Sequence, residues 1–252
     1  MSEEQQGIYV FGVVRADAAL DALDDSEELP EVSLAEVGDL AAIVSDLPGN
    51  EETATRDHVL AHAQVLAAAV ETATVVPMRF GMIFPSDEAI RDDLLESRHD
   101  ELVQLLDRFE GRVQMTLKVT FREEAVLREI LDEQPEIARL REAVGATSEQ
   151  AGYDAKVRLG EMVSAAVEER RQRGSAELLD ALKPVAVAAL PQPPESELMV
   201  LNAPLLVERE RLEEFQEAVD EAARSRSELM HFKLLGPMPA YHFTDVEEPA
   251  WA

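Results

Sequence analysis

The chain predicts an α+β fold in two domains, and three observations carry that prediction. Apolar, β-branched runs at 7–14 and 113–121 read as sheet strands, and each is followed by segments whose apolar residues recur at helical spacing. The element order reads βββαβα and then βα(n)βαβ, so that each half supplies a few strands backed by helices. Gly111 ends a helical pattern just before the second of those strands, which places the boundary between a domain at 1–111 and a domain at 112–252 with a helical insertion.

In the first half, GIYVFGVV at 7–14 is a continuous apolar run and predicts a buried strand. An acidic, alanine-rich segment follows at 17–28. EVSLAEVGDLAAIVSDLPGN predicts two short strands turning at Gly38-Asp39 and closing at Pro48-Gly49. Thr55 or Asp57 can cap a helix whose inward residues are expected to be Val59, Ala63, Leu66, Val70 and Ala73. TVVPMRFGMIF at 74–84 predicts one strand closed by Pro85. Ser86 is then placed to cap a helix with Asp87 and Glu88 in its first turn, where negative charge suits the helix dipole. Its stripe is Ile90, Leu94, Leu102, Leu106 and Phe109.

In the second half, Val113, Met115, Leu117, Val119 and Phe121 alternate with polar residues, the signature of a half-buried strand. Helices are expected over roughly 123–190, with Pro135 ending one and opening the next, because proline fits a first turn and not an interior. PQPPES at 191–196 reads as a stiff connector and ELMVLNAPLLV as a strand. RERLEEFQEAVDEAARS predicts a helix with Leu212, Phe215, Val219 and Ala222 inward. ELMHFKLLG closes the unit with Met230, Phe232 and Leu234 on one strand face. Gly236 then permits a turn, Pro237 and Pro239 hold an extended exit, and Tyr241 and Phe243 can fold back.

Composition narrows the function classes. A hydrophobic share of 46% supports a buried core, and the absence of cysteine removes disulfides and thiolate chemistry. No apolar run reaches the ~20 residues that span a bilayer, and MSEEQQG lacks the form of a secretory signal, so a soluble, cytoplasmic protein is expected. Fifty-two acidic residues against 23 basic ones give a net charge of −29, which speaks against nucleic acid and anionic membranes as partners. Only Lys118, Lys156, Lys183 and Lys233 are lysines. An acid-rich, lysine-poor chain suits molar salt, where the Debye length falls to ~3 Å and self-repulsion is screened.

Candidate chemistry is sparse. His58 and His62 stand four apart, the spacing of a zinc pair on one helix face, yet Val59 occupies the place of the usual glutamate base. The structural alternative has His62 at the edge of an apolar stripe with a local hydrogen bond. Arg79 is the one charge in an apolar stretch; it must face solvent or meet a carboxylate, or else serve a small-anion-binding regulator. Gly81 beside it suggests a bulge or a close backbone approach. Phosphate-binding glycine loops and a serine nucleophile elbow are both absent. These residues show no visible active site: no enzyme and no cofactor are expected, and a metal-dependent enzyme using His58 and His62 stands as the alternative.

Three stretches taken together resemble one family. YVFGVV with GDLAAIVSDLP, AHAQVLAAAVETATVVPMRFGMIF, and MVLNAPLLVERERLEEF followed by LLGPMPAYHF are similar, in this order, to the GvpF/GvpL family of gas vesicle proteins. The resemblance implies a two-domain α+β architecture with a ferredoxin-like N-terminal domain. It also implies a non-enzymatic part in building gas vesicles, with the shell protein GvpA and other accessory proteins as partners. Arg79, Phe80 and Gly81, with Gly236, Pro237, Pro239, Tyr241 and Phe243, carry the match and are expected to act as fold determinants first and interface residues second. Pro204 departs from the family pattern and suggests that its strand lies at a sheet edge. The segment 17–31 carries no family motif.

Overall fold

The structure, a computed structural model, describes residues 7–20, 23, 29–46, 56–146 and 153–245. It divides into two units. The first takes the chain through Met115, with Glu208–Glu210 and the segment from Gly236; the second takes Thr116–Val207 and Arg211–Leu235. Helix and sheet are mixed in an α+β arrangement.

In the first unit the apolar run becomes β1 (Ile8–Arg15), where Val10, Phe11, Val13 and Val14 are fully buried. Strands β2 (Ser33–Val37) and β3 (Leu40–Ser45) form the expected hairpin, turning through Gly38 at φ 60°, a conformation open to glycine. β3 pairs antiparallel with β1 from Tyr9↔Ser45 to Arg15↔Leu40, with a register shift between Val10 and Gly12. The expected strand at 74–84 is interrupted. Only β4 (Val76–Pro77) and β5 (Ile83–Phe84) pair with β1, because Gly81 takes φ 87° and the Met82 N–H closes a turn onto the Arg79 carbonyl. The order is β2-β3-β1-β4, with β5 also on β1.

Helix α1 (Arg56–Thr72) rotates away from the expected stripe. His62, Val65, Leu66, Ala69 and Val70 face inward, while Ala63 is exposed and Val59 is 50% exposed. AHAQVLAAAV carries small apolar residues on nearly every face, so periodicity alone could not choose one. The choice comes from β1. A side chain at Gly12 would sit 3.0 Å from Leu66 Cδ2 and 2.8 Å from Val75 Cγ1, so the missing Cβ is where these two side chains seat. Thr55 lies outside the described residues, and Asp57 sits in the first turn.

Ser86 caps as expected, its Oγ accepting from the Ala89 N–H at 3.1 Å. The helix it starts is not continuous. Helix α2 (Asp87–Ala89) widens into a π-helical stretch, Ile90–Glu96, in which the Ser97 N–H reaches the Asp92 carbonyl five residues back. Helix α3 (His99–Phe109) follows a break at Arg98. The whole stripe of Ile90, Leu94, Leu102, Leu106 and Phe109 is nonetheless buried.

The second unit takes most of a sheet formed by β6 (Arg112–Phe121), β7 (Ala188–Ala189), β8 (Met199–Glu208) and β9 (Met230–Met238), in the order β7-β8-β6-β9. Its helices are α4 (Glu123–Glu133), α5 (Pro135–Ala146), α6 (Tyr153–Leu182) and α7 (Leu212–Ser225). Pro135 opens α5, as its missing N–H allows. Phe215, Val219 and Ala222 of α7 are buried and Leu212 is half-buried.

Pro204 corrects the edge expectation. Its strand β8 is an inner strand, flanked by β6 on one side and the two-residue β7 on the other. The Pro204 carbonyl accepts from the Leu190 N–H at 2.9 Å, just past β7. In an antiparallel ladder a residue's N–H and C=O point the same way. The donor that proline lacks is therefore directed at the short outer piece, not at β6.

Candidate functional site

Two of the family-matching residues, Phe80 and Tyr241, meet at one histidine, and Gly81 reaches it through Tyr9. Tyr9 and Phe11 alternate on β1 and so share a face of the sheet. Helix α1 brings His62 over them. The Phe11 and His62 rings stack, 5.7 Å apart and 25° from parallel, and Tyr9 meets His62 edge-on at 5.7 Å. Phe80 closes a third side at 5.7 Å, and Tyr241 a fourth at 6.5 Å. His62 is 5% exposed in this aromatic cage.

Polar contacts fix the cage. The Gly81 N–H donates to Tyr9 Oη at 3.1 Å, and Oη lies 2.8 Å from His62 Nδ1. With Oη accepting from Gly81, its own proton is free for Nδ1, which leaves the ring proton on Nε2. Nε2 has no well-formed hydrogen bond. Burial pushes the His62 pKa down to about 4, and the nearby Met78 backbone offsets this only in part. The ring is held neutral by its surroundings. Burial likewise raises the Tyr9 and Tyr241 hydroxyls above their ordinary range.

This geometry removes the basis of the zinc pair. One His62 nitrogen is committed to Tyr9 and the ring is enclosed by carbon, while His58 is half-exposed one turn earlier. Among the described residues, no three His, Asp or Glu side chains gather where they could hold a metal. The hydrogen bond of His62 is also not local: it crosses from α1 to β1.

Arg79 points outward, its side chain 85% exposed, and its Nη2 lies 3.2 Å from a carboxylate oxygen of Asp245. Both sequence alternatives for it hold at once, solvent and a carboxylate, and the carboxylate belongs to the C-terminal tail. Two exposed groups in water hold each other weakly, by about 0–1 kcal/mol.

Another matched residue, Gly236, packs against Gln114, which the returning tail also contacts through Met238 and His242. Gly236 takes φ 120°, and a Cβ there would lie 2.8 Å from both the Gln114 carbonyl oxygen and Met115 Sδ. Gln114 itself is fully buried; its Oε1 accepts from the His242 N–H at 3.1 Å and its Nε2 lies 3.4 Å from Met238 Sδ. The chain then enters a 3-10 turn at Tyr241–Phe243, which buries Phe243 completely. Pro239 is buried and Pro237 is exposed. Sequence reading missed Gln114 because strand alternation assigned it to the solvent face. It missed Tyr9 because an aromatic residue in an apolar run reads as core. A phenol beside a strand glycine and a histidine-bearing helix was the available signal.

One further cluster had no sequence signal. Arg15 of β1 holds Asp39 at 2.8 Å and also Asp107, while His99 Nε2 lies 2.7 Å from Asp39. Hydrogen bonds to Asp39 and Asp100 raise the His99 pKa. This surface network ties β1 and the β2–β3 turn to α3.

Comparison with known proteins shows what the whole chain is similar to. The model of the family described as gas vesicle synthesis protein GvpL/GvpF matches residues 7–245. Over 240 residues, 94% of this chain and 99% of the other, the sequence is 34% identical to Gas vesicle protein F of Streptomyces sp. (strain CB03234). It is 23% identical to Gas vesicle protein F1 of Halobacterium salinarum, covering 96% of this chain and 94% of that one. The crystal structure of GvpF from Anabaena sp. PCC7120 superimposes with a TM-score of 0.80 at 19% identity, over 96% of this chain and all of that one, a likeness of fold.

Proposed function

Because the chain belongs to the GvpL/GvpF family of gas vesicle synthesis proteins, we propose that it is a non-enzymatic accessory or minor structural protein of gas vesicle assembly, one that binds the major shell protein GvpA and other accessory proteins. One observation carries the reading: the family match runs through both units, from β1 to the C-terminal tail, and takes in the His62 cage and the Gln114 clamp.

The physical motive is aggregation. Shell subunits with exposed apolar surface associate with one another unless a partner covers them. A partner with a net charge of −29 stays soluble while doing so. Among the described residues, the first unit exposes Leu34 on β2 and Val59 and Leu60 at the start of α1, apolar side chains that its own core leaves uncovered. Phe80, Gly81, Gly236, Pro239, Tyr241 and Phe243 serve the fold in this reading. Arg79, Gly236 and Pro237 are the exposed matched residues, and of these Arg79 and Pro237 carry side chains able to touch a partner. No helix among the described residues is long and apolar enough to cross a membrane.

The test is a pull-down of GvpA by this chain in molar salt, paired with deletion of its gene. Capture of GvpA together with loss or malformation of vesicles supports the reading. Absence of capture with normal vesicles in the deletion strain removes it.

A further inference from the structure

We infer that a groove in the second unit, between α4, α5 and α6, is a docking site for an acidic amphipathic helix of a partner protein. The inference stands apart from the shell-binding role, because it rests on this surface alone. The groove has a volume of about 760 Å³ and walls made of Leu127, Leu131, Leu159 and Val163, all half-buried. Such a trough accepts the apolar stripe of a helix, whose side chains recur every three or four residues.

Its charge runs against the rest of the molecule. Acids outnumber bases 52 to 23 over the chain, yet the groove is lined by Arg128, Arg141 and Lys156 against the single carboxylate of Glu124. These three cations form no ion pair among the described residues. Further along α6, by contrast, Arg170, Arg171 and Arg173 are each held by a glutamate, namely Glu133, Glu168 and Glu169. Three cations around one apolar trough, without an ion pair among the described residues of so acidic a protein, are complementary to carboxylates from elsewhere. The neighbouring groove of about 870 Å³ offers no such match. It is lined by Glu123, Glu168, Glu195 and Glu197, and its one cation, Arg171, already lies on Glu168.

A glycine supports the same assignment. Gly160 lines the groove from the interior of α6, where glycine is unfavourable relative to alanine by roughly 0.5–1 kcal/mol. Gly174 of the same helix has a packing reason, since a Cβ there would press on Val200 and Met230 at 3.2 and 3.3 Å. Gly160 has none: a Cβ would meet nothing within 4 Å. The chain's own packing does not ask for glycine at this point, whereas the close approach of another backbone would. Tyr153 and Val157, 70% and 44% exposed, extend the same side of α6 beyond the groove.

The experiment uses the full chain and two labelled helical peptides of about 18 residues, long enough to form several turns. They share one leucine stripe and differ only in flanking residues, glutamate in one and lysine in the other. Fluorescence anisotropy near physiological salt is expected to show the glutamate peptide binding about tenfold more tightly. This preference opposes the net charge of −29, which by itself favours the lysine peptide. Gly160→Leu, which fills the groove, is expected to weaken the glutamate peptide at least about tenfold with helix content unchanged. Arg128→Glu with Lys156→Glu is expected to reverse the preference. A stronger lysine peptide, no glutamate-peptide binding, or binding indifferent to both variants overturns the inference. So does a dimer of this chain abolished by Gly160→Leu, which would seat a second copy in the groove. Binding to anionic lipid vesicles lost in that variant would also overturn it.

Discussion

The hydroxyl of Tyr9 lies 2.8 Å from Nδ1 of His62, and this one contact joins the central strand of the first unit to its covering helix. The same oxygen receives the Gly81 N–H, so the loop bearing Arg79, Phe80 and Gly81 is fastened through it too. Removing the oxygen strands a buried imidazole nitrogen and a half-buried N–H at once. Tyr9→Phe is therefore expected to destabilise the chain by roughly 1–3 kcal/mol, the penalty for leaving a buried partner unsatisfied. Tyr9→Phe combined with His62→Leu is expected to cost less than the sum of the single changes, because the second change removes the group that the first orphaned. Urea unfolding of the four proteins of this cycle measures the coupling; strict additivity would mean that the contact carries no energy.

Stability should fall on mild acidification, and His62 sets the window. Its folded pKa, about 4, lies below the ordinary value near 6.5, so the unfolded chain binds the extra proton between these limits. Stability is thus complete above about pH 6.5 and declines as pH falls toward 4, by about 3 kcal/mol in total. His99 acts with the opposite sign: its raised pKa gives stability that is present below pH 6.5 and lost as pH rises through the folded value. The carboxylates with lowered pKa, such as Asp39 and Glu101, lose their contributions only in the more acid range. Between about pH 4.5 and 6.5 the slope therefore reports mainly His62, with a same-signed share from His242, whose pKa burial also lowers. Melting temperatures across this range should flatten in His62→Leu, and an unchanged slope would refute the assignment.

Two glycines should respond in opposite directions to alanine. At Gly236 the backbone sits at φ 120° and the new methyl would press on the Gln114 carbonyl at 2.8 Å, a contact that backbone cannot yield. Gly236→Ala is expected to cost roughly 2–5 kcal/mol, the sum of a left-handed L-residue and an overpacked contact. Gly160→Ala meets open space in a helix interior and is expected to stabilise by roughly 0.5–1 kcal/mol. Denaturant midpoints for the two variants decide both signs.

These residues also mark where the sequence could be read and where it could not. The β2–β3 hairpin, the Ser86 cap, the opening of α5 at Pro135 and the inward face of α7 each follow from local chemistry: a positive-φ glycine, an N-cap hydroxyl, a missing N–H, a 3.6-residue stripe. The face of α1 did not, because its alanines offer several equivalent stripes and only Gly12 on β1 selects one. The interruption at Gly81 and the burial of Gln114 depend on pairing with distant strands and on the returning tail. The His62 cage was partly legible, in that Phe80, Gly81 and Tyr241 were singled out as a set. That they meet on one imidazole is a tertiary fact.

Salt should raise the melting temperature, through screening. Two effects compete when salt is added. Exposed ion pairs such as Arg79–Asp245 and Arg224–Glu221 weaken, but each contributes only about 0–1 kcal/mol. Repulsion among the surplus carboxylates weakens as well. Acids exceed bases by 29, so most of that surplus has no cation to lose when screening sets in. The second effect is the larger. Between roughly 0.15 M and 1 M potassium chloride the Debye length shrinks from about 8 Å to 3 Å, so the gain should be steep and then level off. Each kcal/mol recovered moves the midpoint by about 2–4 °C in a chain of this size, which makes a rise of several degrees measurable by calorimetry. A linear rise continuing well beyond about 1 M would point instead to salting-out of apolar surface, and a falling midpoint would show that the ion pairs dominate.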